Sequence, residues 1–146
     1  MNKLVSIDPG KYKCGLVLAD LDKREILSAI VIESNKLIKK VKDFKLIDSN
    51  IKLIIGNGTT SKSWIFSLND FTKDLTIVDE RNTTYRAKER YFQIFPRKGF
   101  QNLLPKDIFI RNINLDAISA LIIAEDYLNF KFEVSDKIQT KTWLKR

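Results

Sequence analysis

Three short runs rich in apolar residues lie at the start of the chain, at residues 3–8, 14–19 and 25–32. Short apolar runs bounded by turn residues are typical of β-strands. The first two runs are separated by Pro9-Gly10, which favours a tight turn, and the last two by a short polar stretch. The pattern therefore predicts an antiparallel meander of three strands.

The hydrophobic period changes to that of a helix over residues 37–47, where the apolar residues mark a single face. The remainder of this predicted helix is rich in lysine, and a solvated face explains those lysines better than a binding patch does. They are Lys36, Lys39, Lys40, Lys42 and Lys45.

Two strand–helix pairs follow this first helix. The pattern predicts strands over residues 51–56 and 75–80, and helices over residues 62–71 and 83–95. Pro96 ends the second of these helices, because proline cannot continue a helical backbone. Strands that alternate with helices favour parallel pairing through crossover connections, so the predicted class is α/β.

The rest of the pattern is less regular. Residues 97–113 show no clear period and are interpreted as an ordered loop, whereas Asp116 opens a helical pattern that extends to about residue 129. The chain has 146 residues, 44% of them hydrophobic, which suits one packed domain over residues 1–130. Residues 131–146 form a basic tail whose structure the pattern leaves undecided.

Composition excludes several classes of active site. The chain has no histidine, which rules out a Ser-His-Asp triad, a histidine general base and histidine metal ligands. Its single cysteine, Cys14, can form neither an internal disulfide nor a zinc site, and we expect it to be a small buried side chain. Neither of the glycine-rich nucleotide-binding motifs, GxxxxGK[ST] and GxGxxG, occurs.

Net charge points to the kind of partner. A formal charge of +8 and an isoelectric point near 9.6 favour a phosphate-rich partner such as nucleic acid. Because the chain is rich in lysine, asparagine and isoleucine throughout, the net charge alone favours nucleic-acid binding no more than it favours a general bias in composition. No apolar stretch approaches the roughly 20 residues that span a bilayer, and the N-terminus lacks a signal-peptide layout. We therefore expect a cytoplasmic protein without a membrane partner.

Three carboxylates lie at the ends of predicted elements. Asp8 and Glu80 end apolar runs, and Asp116 opens a helical pattern. Each has a purely structural explanation, because an aspartate can cap a turn and an acid can complement a helix N-terminus. One metal site explains all three placements at once.

The chemistry of such a site is phosphodiester hydrolysis. Two Mg²⁺ or Mn²⁺ ions about 3.5–4 Å apart can position a water and stabilise the charge that develops on the phosphate. Both ions prefer oxygen ligands, which carboxylates supply.

Basic and hydroxyl side chains close to the carboxylates in sequence are candidate contacts to the phosphates of a nucleic acid. A hydroxyl such as that of Thr59 could equally cap a helix. The candidates are Lys13, Thr59, Arg81, Thr84, Arg86, Lys88, Arg90 and Lys98.

Three segments resemble the motifs of a known family. The run SIDPGKYKCGL at residues 6–16 resembles the opening DxGxxxxG hairpin of the YqgF (RuvX) family. The run VDERNTT at residues 78–84 resembles its DERx[ST]T motif, and LDAISA at residues 115–120 resembles its closing DxxxA helix. The chain differs from the family at Tyr12, where a basic residue is usual, and at residues 56–58, where Gly-Asn-Gly replaces Gly-Leu-Pro.

The resemblance implies a ribonuclease H-like fold: a five-stranded mixed sheet of order 3-2-1-4-5, three strands antiparallel and then two parallel, with helices on both faces. It also implies that Asp8, Glu80 and Asp116 are an acidic catalytic triad. Members of the family are described as nucleases that mature the 5′ end of precursor 16S ribosomal RNA, and as candidate Holliday-junction resolvases.

Three functions stay open on these grounds. The first is a Mg²⁺- or Mn²⁺-dependent nuclease for structured RNA, with precursor ribosomal RNA or a pre-ribosomal particle as its partner. The second is a DNA-junction resolvase, which would need a homodimer rather than a monomer. The third is a nucleic-acid-binding module of the same fold that does not cut.

Overall fold

A computed structural model describes residues 2–70, 72, 74–80, 83–134 and 143. Its centre is a five-stranded mixed sheet in the order β3-β2-β1-β4-β5. β1 pairs antiparallel with β2 and parallel with β4, β2 pairs antiparallel with β3, and β4 pairs parallel with β5. The predicted α/β class and strand order are confirmed. The strands are β1 (Lys3–Asp8), β2 (Lys13–Asp20), β3 (Glu25–Glu33), β4 (Lys52–Gly56) and β5 (Leu75–Val78).

The four helices expected from the sequence are present, with ends that differ from the predictions by a few residues. A fifth helix, α4, lies inside the segment 97–113 that was predicted to be a loop, and a 3₁₀ helix at Gly99–Leu103 precedes it. That prediction was wrong because elements of five residues are too short to show a hydrophobic period. The helices are α1 (Leu37–Ile47), α2 (Ser61–Asn69), α3 (Thr83–Ile94), α4 (Lys106–Ile110) and α5 (Asp116–Leu128).

Helices cover both faces of the sheet. Successive side chains of a strand point to opposite faces, so a single strand contributes apolar residues to two cores. On β1, Leu4 packs into a core formed mainly with α5, whereas Val5 and Ile7 pack into a second core formed with α1 and α2. Ile54 on β4 belongs to the first core, and its neighbours on either side belong to the second. The expectation of helices on both faces is confirmed.

The part of the basic tail that the structure describes is packed against the domain. Phe132 and Trp143 are buried in the core beside α5, and the Trp143 ring centroid lies 6.3 Å from that of Phe95. Glu133 forms an isolated parallel bridge with Glu25 at the edge of β3. These residues of the 131–146 segment therefore belong to the same folded unit as the sheet.

Within the described residues, no helix combines the length and the apolar character that a membrane crossing requires. The most apolar helix, α5, is buried within the protein, with residues 117–125 all inaccessible or nearly so. Cys14 is a free cysteine and is buried, as expected.

Candidate active site

Asp8 ends the central strand β1 at the edge of the sheet where the parallel strands β4 and β5 also end. In open α/β sheets, this carboxyl edge is where ligands bind. The turn after Asp8 is held in place from two sides. The Ser34 hydroxyl donates a hydrogen bond to the Gly10 carbonyl at 2.9 Å, and the Thr60 hydroxyl donates one to the Pro9 carbonyl at 2.7 Å.

Asp116 reaches Asp8 because α5 begins against the neighbouring strand. Asp8 pairs with Gly15 on β2, and a Cβ at Gly15 would overlap the backbone carbonyl of Asp116. Glycine at this position therefore allows the first turn of α5 to lie directly on the sheet. The Asn114 side-chain oxygen accepts the N–H of Asp116 at 2.9 Å, which defines where the helix starts.

Glu80 follows β5 and turns its carboxylate over the end of β4. A Cβ at Gly56 would overlap Oε1 of Glu80, and a Cβ at Gly58 would lie 3.8 Å from each of the two carboxylate oxygens. Oε1 is buried and has no hydrogen-bond partner among the described residues. A buried carboxylate oxygen without a partner is costly unless a cation or a proton satisfies it.

The pKa of Asp8 shows that the three carboxylates share one electrostatic environment. Burial first, then the negative charges of Glu80 and Asp116, together raise this pKa to about 7, while a hydrogen bond from the Ser119 hydroxyl opposes the shift. Asp8 is therefore the carboxylate whose pKa is raised by electrostatic repulsion from both of the others.

The other two carboxyl groups also have raised pKa values. Burial is the main cause for both, and Asp79 adds to it for Glu80. For Asp116, a hydrogen bond from Asn114 and the positive charge of Lys13 oppose the rise. Each group would hold its negative charge more readily beside a cation.

The donor set suits a hard divalent cation, since it consists of carboxylate oxygens alone. Within the part of the chain that the structure describes, no group of three or more acidic or cysteine side chains is arranged so that it could hold a metal ion. The fit to a metal therefore depends on the unpartnered Glu80 oxygen and on the charge repulsion centred on Asp8. A cation would relieve both.

Three of the predicted phosphate contacts lie close to the carboxylates. Lys13 is near enough to Asp116 to lower the pKa of that carboxyl group, and Thr84 and Lys88 line a groove together with Glu80. Thr59 is exposed in the loop that leads from β4 to α2. Lys98 is exposed and precedes the 3₁₀ helix, where its N–H is bonded to the Gln101 side chain at 3.2 Å.

Two predicted arginines are instead bound within the fold. Arg90 donates hydrogen bonds to Glu125 at 2.7 Å and to the Phe132 carbonyl at 2.8 Å, and only 12% of its side chain is exposed. Arg86 forms two hydrogen bonds of 2.6 Å with Asp126. Both arginines thus connect α3 to α5. Their contact with phosphate stays a prediction. Arg81 lies outside the described residues.

The sequence patterns missed the residues that hold the carboxylates in place. Ser119 is three residues after Asp116 on α5, and this spacing puts the two side chains on one face of the helix, so a helical-face argument could have found it. Gly15 lies inside the apolar strand β2 and Gly56 ends the apolar strand β4, and glycine at such positions is a signal for close approach of another backbone or side chain.

A scan against protein-family models and a search of curated proteins find no match to this chain.

Proposed function

We propose that this protein is a divalent-metal-dependent nuclease of ribonuclease H-like fold that hydrolyses phosphodiester bonds in structured RNA. The observation that carries the proposal is the convergence of Asp8, Glu80 and Asp116 at the carboxyl edge of the sheet, with Asp8 repelled by both partners. Precursor 16S ribosomal RNA is the substrate that the motif resemblance favours, and the cytoplasm is the corresponding location.

Asp8, Glu80 and Asp116 would hold Mg²⁺ or Mn²⁺, since their oxygens are the ligands that these ions prefer. When bound, the ions supply charge stabilisation at the phosphate and activation of water. Carboxylates close to a phosphodiester would otherwise repel it, so a catalytic role explains their presence better than a role in binding alone.

The chain's own residues position the reacting groups. The Ser119 hydroxyl donates a hydrogen bond that orients the Asp8 carboxylate, and burial together with the two neighbouring carboxylates raises the pKa of Asp8 to about 7. Lys13, beside Asp116, supplies positive charge for the substrate's phosphates. Gly15 and Gly56 leave room for the carboxylates to come together.

The proposal is tested with end-labelled precursor 16S ribosomal RNA and a four-way DNA junction, each incubated with and without Mn²⁺. Wild type is compared with Asp8→Asn and with Asp74→Asn, a matched change at an exposed residue just before β5, at the opposite edge of the sheet. We expect Mn²⁺-dependent cutting of the RNA by wild type and Asp74→Asn, and none by Asp8→Asn.

Cutting by Asp8→Asn at the wild-type rate would show that the carboxylate site does not catalyse the reaction. Cutting of the junction alone would replace RNA with DNA as the substrate. Binding of either nucleic acid without cutting would favour the non-catalytic module.

A further inference from the structure

An open groove of about 500 Å³ lies beside Glu80. It is within the size range of small-ligand sites, which is roughly 300–1,000 Å³. Its lining combines an aromatic ring, an ammonium group, hydroxyl groups and one of the site carboxylates. The lining residues are Glu80, Thr83, Thr84, Tyr85 and Lys88.

Tyr85 differs from the other aromatic residues of α3. Tyr91, Phe92 and Phe95 are half-buried, with ring centroids 5.1 Å apart in the pairs Tyr91–Phe92 and Tyr91–Phe95. Tyr85 is 66% exposed, and no hydrogen bond or ring contact to it is found within the described part of the chain. Its ring is therefore accessible in the groove, whereas the other rings support the fold.

Lys88 is one helical turn after Tyr85, on the same side of α3. Its ammonium nitrogen is 3.8 Å from Oδ1 of Asp107, and the two side chains are 45% and 88% exposed. A pair this exposed and this long is worth little, because water and salt screen it. Lys88 can therefore exchange Asp107 for a phosphate group that enters the groove.

We propose that Tyr85 and Lys88 form a subsite for one unpaired nucleotide next to the scissile phosphate. The base stacks on the Tyr85 ring, and Lys88 binds the phosphate of the same nucleotide. A base within a duplex is already stacked on both faces, so the subsite selects strands that are unpaired beside the cut. This inference rests on the proposed function, since it places the nucleotide relative to Glu80.

Stacking is measured with a ten-nucleotide single-stranded RNA that carries 2-aminopurine at one internal position, added to the Asp8→Asn protein so that the probe stays intact. The fluorescence of 2-aminopurine falls when the base stacks on an aromatic ring. We expect quenching on binding, and weaker binding of the same RNA in a fully paired duplex.

Substitutions in the Asp8→Asn protein assign the stacking to one ring. Tyr85→Ala should weaken binding of the single strand by roughly 5- to 150-fold and remove the quenching, which corresponds to the usual effect of losing one aromatic platform. Tyr85→Phe keeps a stacking surface and should keep both. Phe66→Ala removes a ring of similar exposure (75%) on α2, outside the groove, and should change neither.

Unchanged affinity and quenching in Tyr85→Ala would overturn the subsite, and so would an absence of probe binding by Asp8→Asn or equal binding of the duplex. These outcomes are separate from the fate of the nuclease proposal. Stacking that depends on Tyr85, in a protein that never cuts with Mn²⁺, would keep the subsite and reject the nuclease. Mn²⁺-dependent cutting by a protein whose RNA binding does not change in Tyr85→Ala would keep the nuclease proposal and reject the subsite.

Discussion

The carboxyl group of Asp8 belongs to the candidate site, and its raised pKa also affects the stability of the fold. This carboxyl group lies at the end of a buried strand, and burial together with two neighbouring carboxylates raises its pKa to about 7 from an ordinary value of 3.8. The folded protein therefore binds a proton at this site in a pH range where the unfolded chain has already released it.

The raised pKa predicts a specific pH dependence of stability. The stabilising effect of the Asp8 proton is complete below about pH 4 and is lost as the pH rises through 7. Without divalent metal, the advantage of Asp8→Asn over wild type in the free energy of unfolding should grow between pH 5 and pH 8 by on the order of 2 kcal/mol. Urea denaturation at the two pH values in the presence of a chelator measures this. An advantage that stays constant would show that Asp8 has an ordinary pKa.

Gly56 and Gly58 provide a matched test of the position of Glu80. A Cβ at Gly56 would overlap the Glu80 carboxylate, whereas a Cβ at Gly58 would make only ordinary contacts of 3.8 Å or more. Gly56→Ala should therefore displace Glu80 and reduce Mn²⁺-dependent cutting at least tenfold, an energy of about 1.4 kcal/mol. Gly58→Ala should remain close to wild type in the same assay. Equal activity of the two variants would show that the carboxylate over Gly56 is not part of the site.

At the scale of elements, the contact between α3 and α5 depends on two ion pairs of different burial. Arg90 and Glu125 are 12% and 7% exposed, whereas Arg86 and Asp126 are 42% and 36% exposed. Glu125 also accepts the N–H of Phe132 at 3.0 Å, so its carboxylate anchors the chain after α5 as well as α3.

The difference in burial predicts unequal losses of stability. Arg90→Ala leaves the Glu125 carboxylate buried without its cation and should lower the free energy of unfolding by about 3–5 kcal/mol. Arg86→Ala removes an exposed pair and should cost about 1 kcal/mol or less. Denaturant unfolding of both variants measures the contrast, and similar losses would contradict the structural role assigned to Arg90.

These two arginines also mark a limit of what the sequence could predict. The strands followed from local apolar runs and turn residues, because those signals act over a few positions, whereas the strand order followed from the resemblance of three motifs to a known family. The role of Arg90 depends on Glu125, which is 35 residues away, and no local pattern reports such a pairing. The same limit applies to α4, whose five residues show no period of their own.

At the scale of the whole molecule, the three carboxylates of the candidate site could be predicted from the sequence. The residues that contact those carboxylates could not. Asp8, Glu80 and Asp116 were recognisable because each stands at the end of an element. The strand order then brings those ends to one edge of the sheet. That Gly56 lies beneath Glu80, and that Ser119 bonds to Asp8, required the three-dimensional packing of β4 and α5.

The net positive charge of the molecule contrasts with the negative charge of its candidate site. A chain of net charge +8 attracts polyanions, yet its site concentrates negative charge. The proposed divalent cation would reconcile the two, because it would bind the carboxylates and present positive charge to phosphate.

Mn²⁺ binding, followed by the loss of the free-ion signal in electron paramagnetic resonance, tests this account most directly. Wild type and Asp74→Asn should bind Mn²⁺ alike at pH 8, whereas Asp8→Asn and Glu80→Gln should bind it at least tenfold more weakly. Binding that survives both of the latter substitutions unchanged, or that is absent from wild type, would contradict a metal centre at Asp8, Glu80 and Asp116.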